Sequence, residues 1–315
     1  LATKENSPAS SLATSTTEHL SDKPPLAKHF LIKSISAAAV LIFVVLFINN
    51  FIFNHSTQIS HDVDVQEITQ ITKAPGSERN VSPSADGKFV VYKSLKPEKP
   101  EHLFLQDITQ PQLPPKQLTF GKIKIGKSVW SSDGKYLYFA QKNINKDRKK
   151  NTCNIMRLSV LTNQSKVIAH CSAKNSFFYI DISSDDKMLA FHSYNEAADK
   201  RGIYFLALDD EAAEPSQFSC LQDCDYDDLD MAFSPDGKTI AVSRRFHRFS
   251  ENIFLIDIAT KETTQLTHNE EDIVGLTWHP SGEYIVYGSQ YADERNAYAI
   301  KIKDKSIHNL NIKGF

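Results

Sequence analysis

The sequence predicts an all-β protein: a β-propeller with five blades present and an incomplete ring, preceded by one transmembrane helix and a disordered tail. Three observations carry this. An Asp-Gly hairpin turn recurs about every 45 to 52 residues between alternating apolar runs, a period that belongs to propeller blades. The run SISAAAVLIFVVLFINNFIF, Ser34 to Phe53, is about twenty residues without a charge and long enough to cross a bilayer. Ahead of it lies a Ser/Thr/Ala/Pro-rich stretch almost free of bulky apolar residues, which cannot bury enough surface to offset the entropy of ordering.

In chain order, residues 1–33 read as a cytoplasmic linker. Because Leu1 stands where a Met would open a reading frame, a further domain is expected ahead of it. The span covers 34–53. Lys23, Lys28 and Lys33 precede it and no Lys or Arg occurs from Asn54 to Thr72, so the positive-inside rule places the N-terminus in the cytoplasm and the rest in the periplasm, anchored at the inner membrane. The competing reading, a cleaved signal peptide, fits poorly with so long a tail and with the lack of a small-x-small site. Residues 54–67 are a periplasmic linker, and 68–315 hold the repeats. With 41% hydrophobic residues and a net charge of -2, the chain has material for a core but no basic field to neutralise phosphates. DNA contact is therefore expected only through a domain absent from this chain.

The repeat turns are Asp86-Gly87, Asp133-Gly134, Asp185-Asp186, Asp236-Gly237 and Ser281-Gly282. Gly accepts the positive φ of a tight hairpin and Asp caps its own backbone there, while Asp186 is one of the few residue types that tolerate the left-handed region in place of Gly. Three residues upstream stand Trp130, Ile182, Phe233 and Trp278, suited to packing between blades, with Pro83 in the first copy. FVVY, YLYF, MLAF, TIAV and YIVY follow as second strands, and KQLT, KVIA, QFS, TQLT and HNL close the blades. TQIT, Thr69 to Thr72, looks like a sixth closing strand whose partners are missing, so truncation at both ends is expected. A complete five-bladed ring is the rival, and leaves that strand spare.

Strand order gathers the second-to-third and blade-to-blade loops at one end. There fall KNINKDRKK (142–150), CLQDCDYDD with Asp225, Asp227 and Asp228, RRFHR with Arg244, Arg245, His247 and Arg248, and HNEED (268–272). Such a mixed-sign face suits a protein or small-molecule ligand; charged loops that are merely solvated are the plainer alternative. His247, His268 and His279 are candidate pH reporters, although His279 takes the place of the turn Ser. Cys153 opens the third strand of the second blade and Cys171 ends its fourth, so folding about Thr162-Asn163 sets them opposite, and a disulfide is expected there and between Cys220 and Cys224. No His/Cys/Asp group has zinc or EF-hand spacing, so neither metal nor other cofactor is expected.

The SPDGK motif at Ser234 to Lys238, with QLT at 117–119 and 265–267, resembles the TolB-type propeller repeat. Linker, single span and propeller, in that order, resemble the membrane-bound transcriptional regulators of the CadC/ToxR kind. That resemblance implies a non-enzymatic sensor, working through a cytoplasmic winged-helix domain and a homodimer across the span. Type II membrane peptidases share tail, span and propeller, but no G-x-S-x-G nucleophile elbow occurs in these 315 residues. A plain envelope scaffold is the third reading.

Overall fold

The computed structural model describes residues 70–72, 77–95, 100–174, 179–196, 200–219, 226–247, 250–268, 271–291 and 294–312. The expected linkers and the span at 34–53 lie outside these. Among the described residues no helix is long and apolar enough to cross a membrane.

Among the described residues, five antiparallel four-stranded sheets follow one another along the chain. Blade 1 comprises β1 (Ser77–Pro83), β2 (Phe89–Leu95), β3 (His102–Asp107) and β4 (Lys116–Gln117); blade 2, β5 (Ile123–Trp130), β6 (Tyr136–Asn143), β7 (Thr152–Ser159) and β8 (Ser165–Cys171). Blade 3 holds β9 (Ile180–Ile182), β10 (Met188–Asn195), β11 (Lys200–Ala207) and β12 (Ser216–Gln217). Blade 4 is β13 (Asp227–Phe233), β14 (Thr239–His247), β15 (Ser250–Asp257) and β16 (Thr263–Gln265), and blade 5 is β17 (Asp272–Trp278), β18 (Tyr284–Tyr291), β19 (Glu294–Lys301) and β20 (Ile307–Asn309).

The hairpin turns of blades 1 to 4 are held the same way, and the sequence explains why. In blade 4 the Ser234 hydroxyl donates to Asp236 (2.6 Å) and accepts from Thr239 N (3.0 Å), and Asp236 accepts from Lys238 N (3.1 Å). The small loop so closed puts Gly237 at φ +69°, where a Cβ would be strained. Asp186 accepts the same conformation at φ +58° and gives something a glycine could not: its carboxylate takes both the N–H (2.9 Å) and the hydroxyl (2.6 Å) of Ser132 in blade 2. In blade 5 His279 does stand in the serine position, its ring 2.9 Å from the Ser281 hydroxyl.

The closing motifs also have a physical role. Gln117 turns back onto Thr119 O (2.8 Å) while the Thr119 hydroxyl takes the Leu103 N–H (2.9 Å) that a longer ladder would have used. Gln265 with Thr267 and Gln217 with Ser219 repeat this in blades 4 and 3. These outer strands are consequently only two or three residues long. Blade 2 lacks the motif, and its outer strand β8 runs for seven residues and ends at a disulfide between Cys153 and Cys171, with a Cα separation of 4.9 Å.

Side chains between blades make the core. Four apolar clusters join neighbours: Val91 and Leu103 with Trp130 and Phe139; Val129 and Tyr138 with Phe191 and Leu189; Phe205 and Phe218 with Phe233 and Val242; Ile253 and Leu266 with Ile285 and Tyr287. Trp130 and Trp278 each donate their indole N–H across such a junction, to Ser82 O and Ala232 O at 3.0 Å. Burial of one such aromatic contributes about 2–3 kcal/mol before entropy is counted. Among the described residues no comparable cluster joins blade 5 to blade 1. Of the segment expected as a sixth closing strand without partners, Thr69 lies outside the described residues, and Gln70 to Thr72 enter no sheet. They line a cavity of about 500 Å³ with Tyr92, Gln106 and Leu113 instead, because without a partner edge a short segment makes no ladder.

Candidate functional site

Opposite the hairpin turns, the loop end of blades 3 to 5 carries an ordered charge network. β13 and β14 are long enough to project Asp227, Asp228, Arg244 and Arg245 past the apolar core, in a register that sets Asp228 opposite Arg244 and Asp227 opposite Arg245. Arg244 forks onto Asp228 (Nε–Oδ1 2.7 Å, Nη2–Oδ2 3.1 Å), and Asp228 is completely buried. The guanidinium lies 3.8 Å over the Tyr226 ring and 4.8 Å from that of Phe254, so packing as well as charge fixes it. Asp227 turns the other way, to Arg201 of blade 3 at 2.9 Å.

Arg245 serves blades 4 and 5. Its Nε donates to Glu251 (3.0 Å), its Nη2 also contacts Glu251, and Asp272 lies 3.7 Å from it. Burial pushes the Glu251 carboxyl above its ordinary range, and Arg245 offsets this only in part. Glu251 and Glu271 form an isolated bridge, Glu251 N donating to Glu271 O at 3.0 Å, and the Ser289 hydroxyl donates to the Glu271 carboxylate.

Nearer the axis, a bulge in each of β5 and β13 directs Lys127 and Asp230 toward each other at 3.4 Å. Asp230 also accepts from Met231 N (2.9 Å) and from Leu276 N of blade 5 (3.2 Å), while Asp181 accepts from Phe233 N (2.7 Å). Burial pushes Asp181 up to about 6, against the pull of Lys127. Burial alone would lower the Lys127 ammonium, but Asp230 and Asp181 outweigh it and leave it raised. Tyr179 beside them is pushed up to about 12, chiefly by burial.

Of the sequence candidates, Asp227, Asp228, Arg244 and Arg245 are thus brought together. His247 and His268 are exposed at this end, whereas His279 belongs to the opposite one. Asp225, Arg248, Cys220 and Cys224 lie outside the described residues. Lys142 to Lys150 form a strand end and an exposed turn, with Asp147 capping Arg148–Lys150. Among the described residues no group of three His, Cys, Asp or Glu is placed to hold a metal ion.

Sequence reading missed the axial residues Lys127 and Tyr179, and took Asp230 for one more acid of an exposed loop where the structure buries it. A signal existed: each stands four positions before the serine of its turn, where blades 1 and 5 have Asn80 and Gly275. Aligning the repeat on that serine displays one axial residue per blade.

Turn-linked sheets of this order, packed face to face, define a TolB-like β-propeller of five blades. No family model and no curated protein matches the chain. Solved structures do. TolB from Acinetobacter baumannii superposes with a TM-score of 0.62 at 18% identity, covering 78% of this chain and 56% of that one. The structure of putative TolB from Agrobacterium tumefaciens gives 0.61 at 15%, covering 76% and 82%. A puromycin-hydrolyzing peptidase from Mycobacterium tuberculosis gives 0.54 at 14%, over 74% of this chain and 37% of the other. The chain therefore spans little more than half of the Acinetobacter TolB, and at these identities the likeness is one of fold.

Proposed function

We propose that the chain is the envelope-side binding platform of a single-pass membrane regulator of transcription, its loop end meeting a ligand or protein and its DNA-binding half lying outside these residues. The observation that carries the platform is the Arg244–Asp228 fork with its neighbours: charge at the loop end is ordered by burial and stacking, which is what a recognition surface needs to avoid an entropic penalty on binding. The Ser34–Phe53 run with its flanking lysines supports the anchor, and the Cys153–Cys171 disulfide supports an oxidising compartment. Blades packed on blades make a poor switch by themselves, and a Ser/Thr/Pro-rich tether transmits proximity better than rotation. Control is thus by homodimerisation, release or proteolysis at the membrane, without catalysis by this chain.

Two measurements test this. Alkaline phosphatase fused after Phe315 is active if the propeller is periplasmic and silent in the reverse orientation. Deleting residues 77–312 from the chromosomal reading frame changes the output of a small set of promoters. Loss of that response, or an upstream frame without a helix-turn-helix, overturns the regulator reading. The second reading, the propeller of a membrane peptidase, draws on the fold likeness to the mycobacterial peptidase. It requires a hydrolase domain with a nucleophile elbow in the same reading frame.

A further inference from the structure

Gln106 breaks the pattern of the repeat. In the register of second and third strands it holds the place that Leu158, Leu206, Ile256 and Ile300 hold in blades 2 to 5, all of them buried in the clusters that join a blade to the one before it. Tyr92 likewise stands where Phe139, Phe191, Val242 and Tyr287 pack on the preceding blade. In blade 1 the two line the cavity of about 500 Å³ at the turn end, beside Leu113 and two prolines, Pro111 and Pro115. Neither side chain is loose. Gln106 is 4% exposed and Tyr92 2%, the Tyr92 ring stacks on Phe104 at 6.0 Å, and Gln106 Nε2 donates to Asp107 O (3.0 Å) and Leu113 O (3.2 Å). With both amide hydrogens used, the carboxamide is fixed in place. Among the described residues no hydrogen bond reaches its Oε1 or the Tyr92 hydroxyl. Two buried side chains thus bring unfilled hydrogen-bonding capacity to the wall of one cavity.

We infer that this cavity binds a small neutral amide with an apolar body, whose N–H donates to Gln106 Oε1 and whose carbonyl accepts from the Tyr92 hydroxyl. One group of the ligand must donate to a fixed acceptor and another must accept from a hydroxyl, and an amide carries both. Charge is disfavoured: among the described residues no Asp, Glu, His, Lys or Arg lines the cavity, so an ionic ligand would lose its hydration without a counter-charge. Burial, and after it the Glu78 carboxylate, hold the Tyr92 phenol above its ordinary range, so it stays a donor. Pro111 and Pro115 offer apolar rings and no N–H, which suits an apolar body. The volume falls within that of small-molecule pockets, roughly 300–1,000 Å³, whereas one water occupies only about 30 Å³. A polar residue merely set on a wetted blade face would not be buried as Gln106 is. The site stands apart from the charge network at the loop end and does not rest on the regulator reading.

The test uses the full chain in detergent, followed by calorimetry and thermal unfolding. The probes are N-acetylphenylalaninamide, its charged counterpart N-acetylphenylalanine, and maltose as a neutral polyol. Saturable binding of the neutral amide is expected, with a raised Tm. The carboxylate should bind at least about tenfold more weakly, because it brings a charge to a site without a partner for it. Tyr92→Phe removes one neutral hydrogen bond and should weaken the amide about three- to tenfold. Without ligand this variant should melt with the wild type, since its hydroxyl has no partner to lose; that melt also shows that it folds. Gln106→Leu restores the residue type of the other blades and should weaken binding at least as much. The inference is overturned if the amide does not bind saturably, if both variants bind it as tightly as wild type, or if the carboxylate or maltose binds as tightly as the amide. None of these readouts involves DNA, so the regulator reading stands or falls separately.

Discussion

The two ends of the blades solve different problems. At the turn end one arrangement is copied: Ser84, Ser131, Ser183 and Ser234 each donate to the Asp two residues on, at 2.6 to 2.8 Å, and the next residue takes positive φ. At the loop end the Gln-x-Thr/Ser clasp of blades 1, 3 and 4 is copied, but the charged and covalent links are not. Blade 2 has a disulfide, blades 3 and 4 share the Arg201–Asp227 pair, and blades 4 and 5 share Arg245. Repeated positions serve the hairpin that every blade must make, and unrepeated ones are free to specialise. A turn defect should therefore cost much the same wherever it is placed, and a loop-end defect should depend on its partner.

The strongest way to break this comparison is Asp228→Ala. It strands the nearly buried Arg244 guanidinium, and unfolding should show a loss of about 3–5 kcal/mol, the usual cost of breaking a buried pair from one side. A loss below about 1 kcal/mol, the range of surface pairs, would place the network among solvated charges. Removing the disulfide by Cys153→Ser with Cys171→Ser should cost about 3 kcal/mol, given the 18-residue separation it closes. Reductant should lower the Tm of the wild type but leave the double variant unmoved. At the turn end Gly237→Ala and Gly134→Ala should each cost about 1–2 kcal/mol, since both positions lie at φ +69°. A large inequality between those two, measured by denaturant unfolding, would refute the equivalence of the turns.

The finest test is pH. Asp181 is held at about 6 in the fold against 3.8 ordinarily, so between these values the folded state keeps a proton that the unfolded chain has released. Its contribution is present below about pH 4 and is lost as pH rises to about 6. Asp181→Asn keeps an acceptor for Phe233 N and cannot ionise. Relative to the variant, the wild type should lose stability across that window, and parallel Tm profiles would rule this out.

Much of the blade was legible because hairpin chemistry is local: the Ser-x-Asp-Gly turn and the Gln-x-Thr clasp act within a few residues. The opposition of Cys153 and Cys171 followed from a single hairpin, and register confirms it, the two being direct partners across β7 and β8. Arg244 with Asp228 was harder. Both lay in loops already singled out, but whether such charges are solvated or paired depends on a bulge in β13 that shifts the register after Asp228. The Lys127–Asp230 contact joins residues 103 apart and no local pattern announces it.

The sequence by itself determined the all-β class, the period, the five turns and the hairpin that carries the disulfide, because each rests on backbone preferences and side-chain bonds spanning a few positions. Only the tertiary structure decided that Gln70 to Thr72 join no sheet, that Asp181 and Asp230 bind the backbone of the next blade, and that Glu251 is buried beside Arg245. Those outcomes depend on how blades stack. Stacking brings together groups far apart in the chain, and their burial then sets which charges are tolerated.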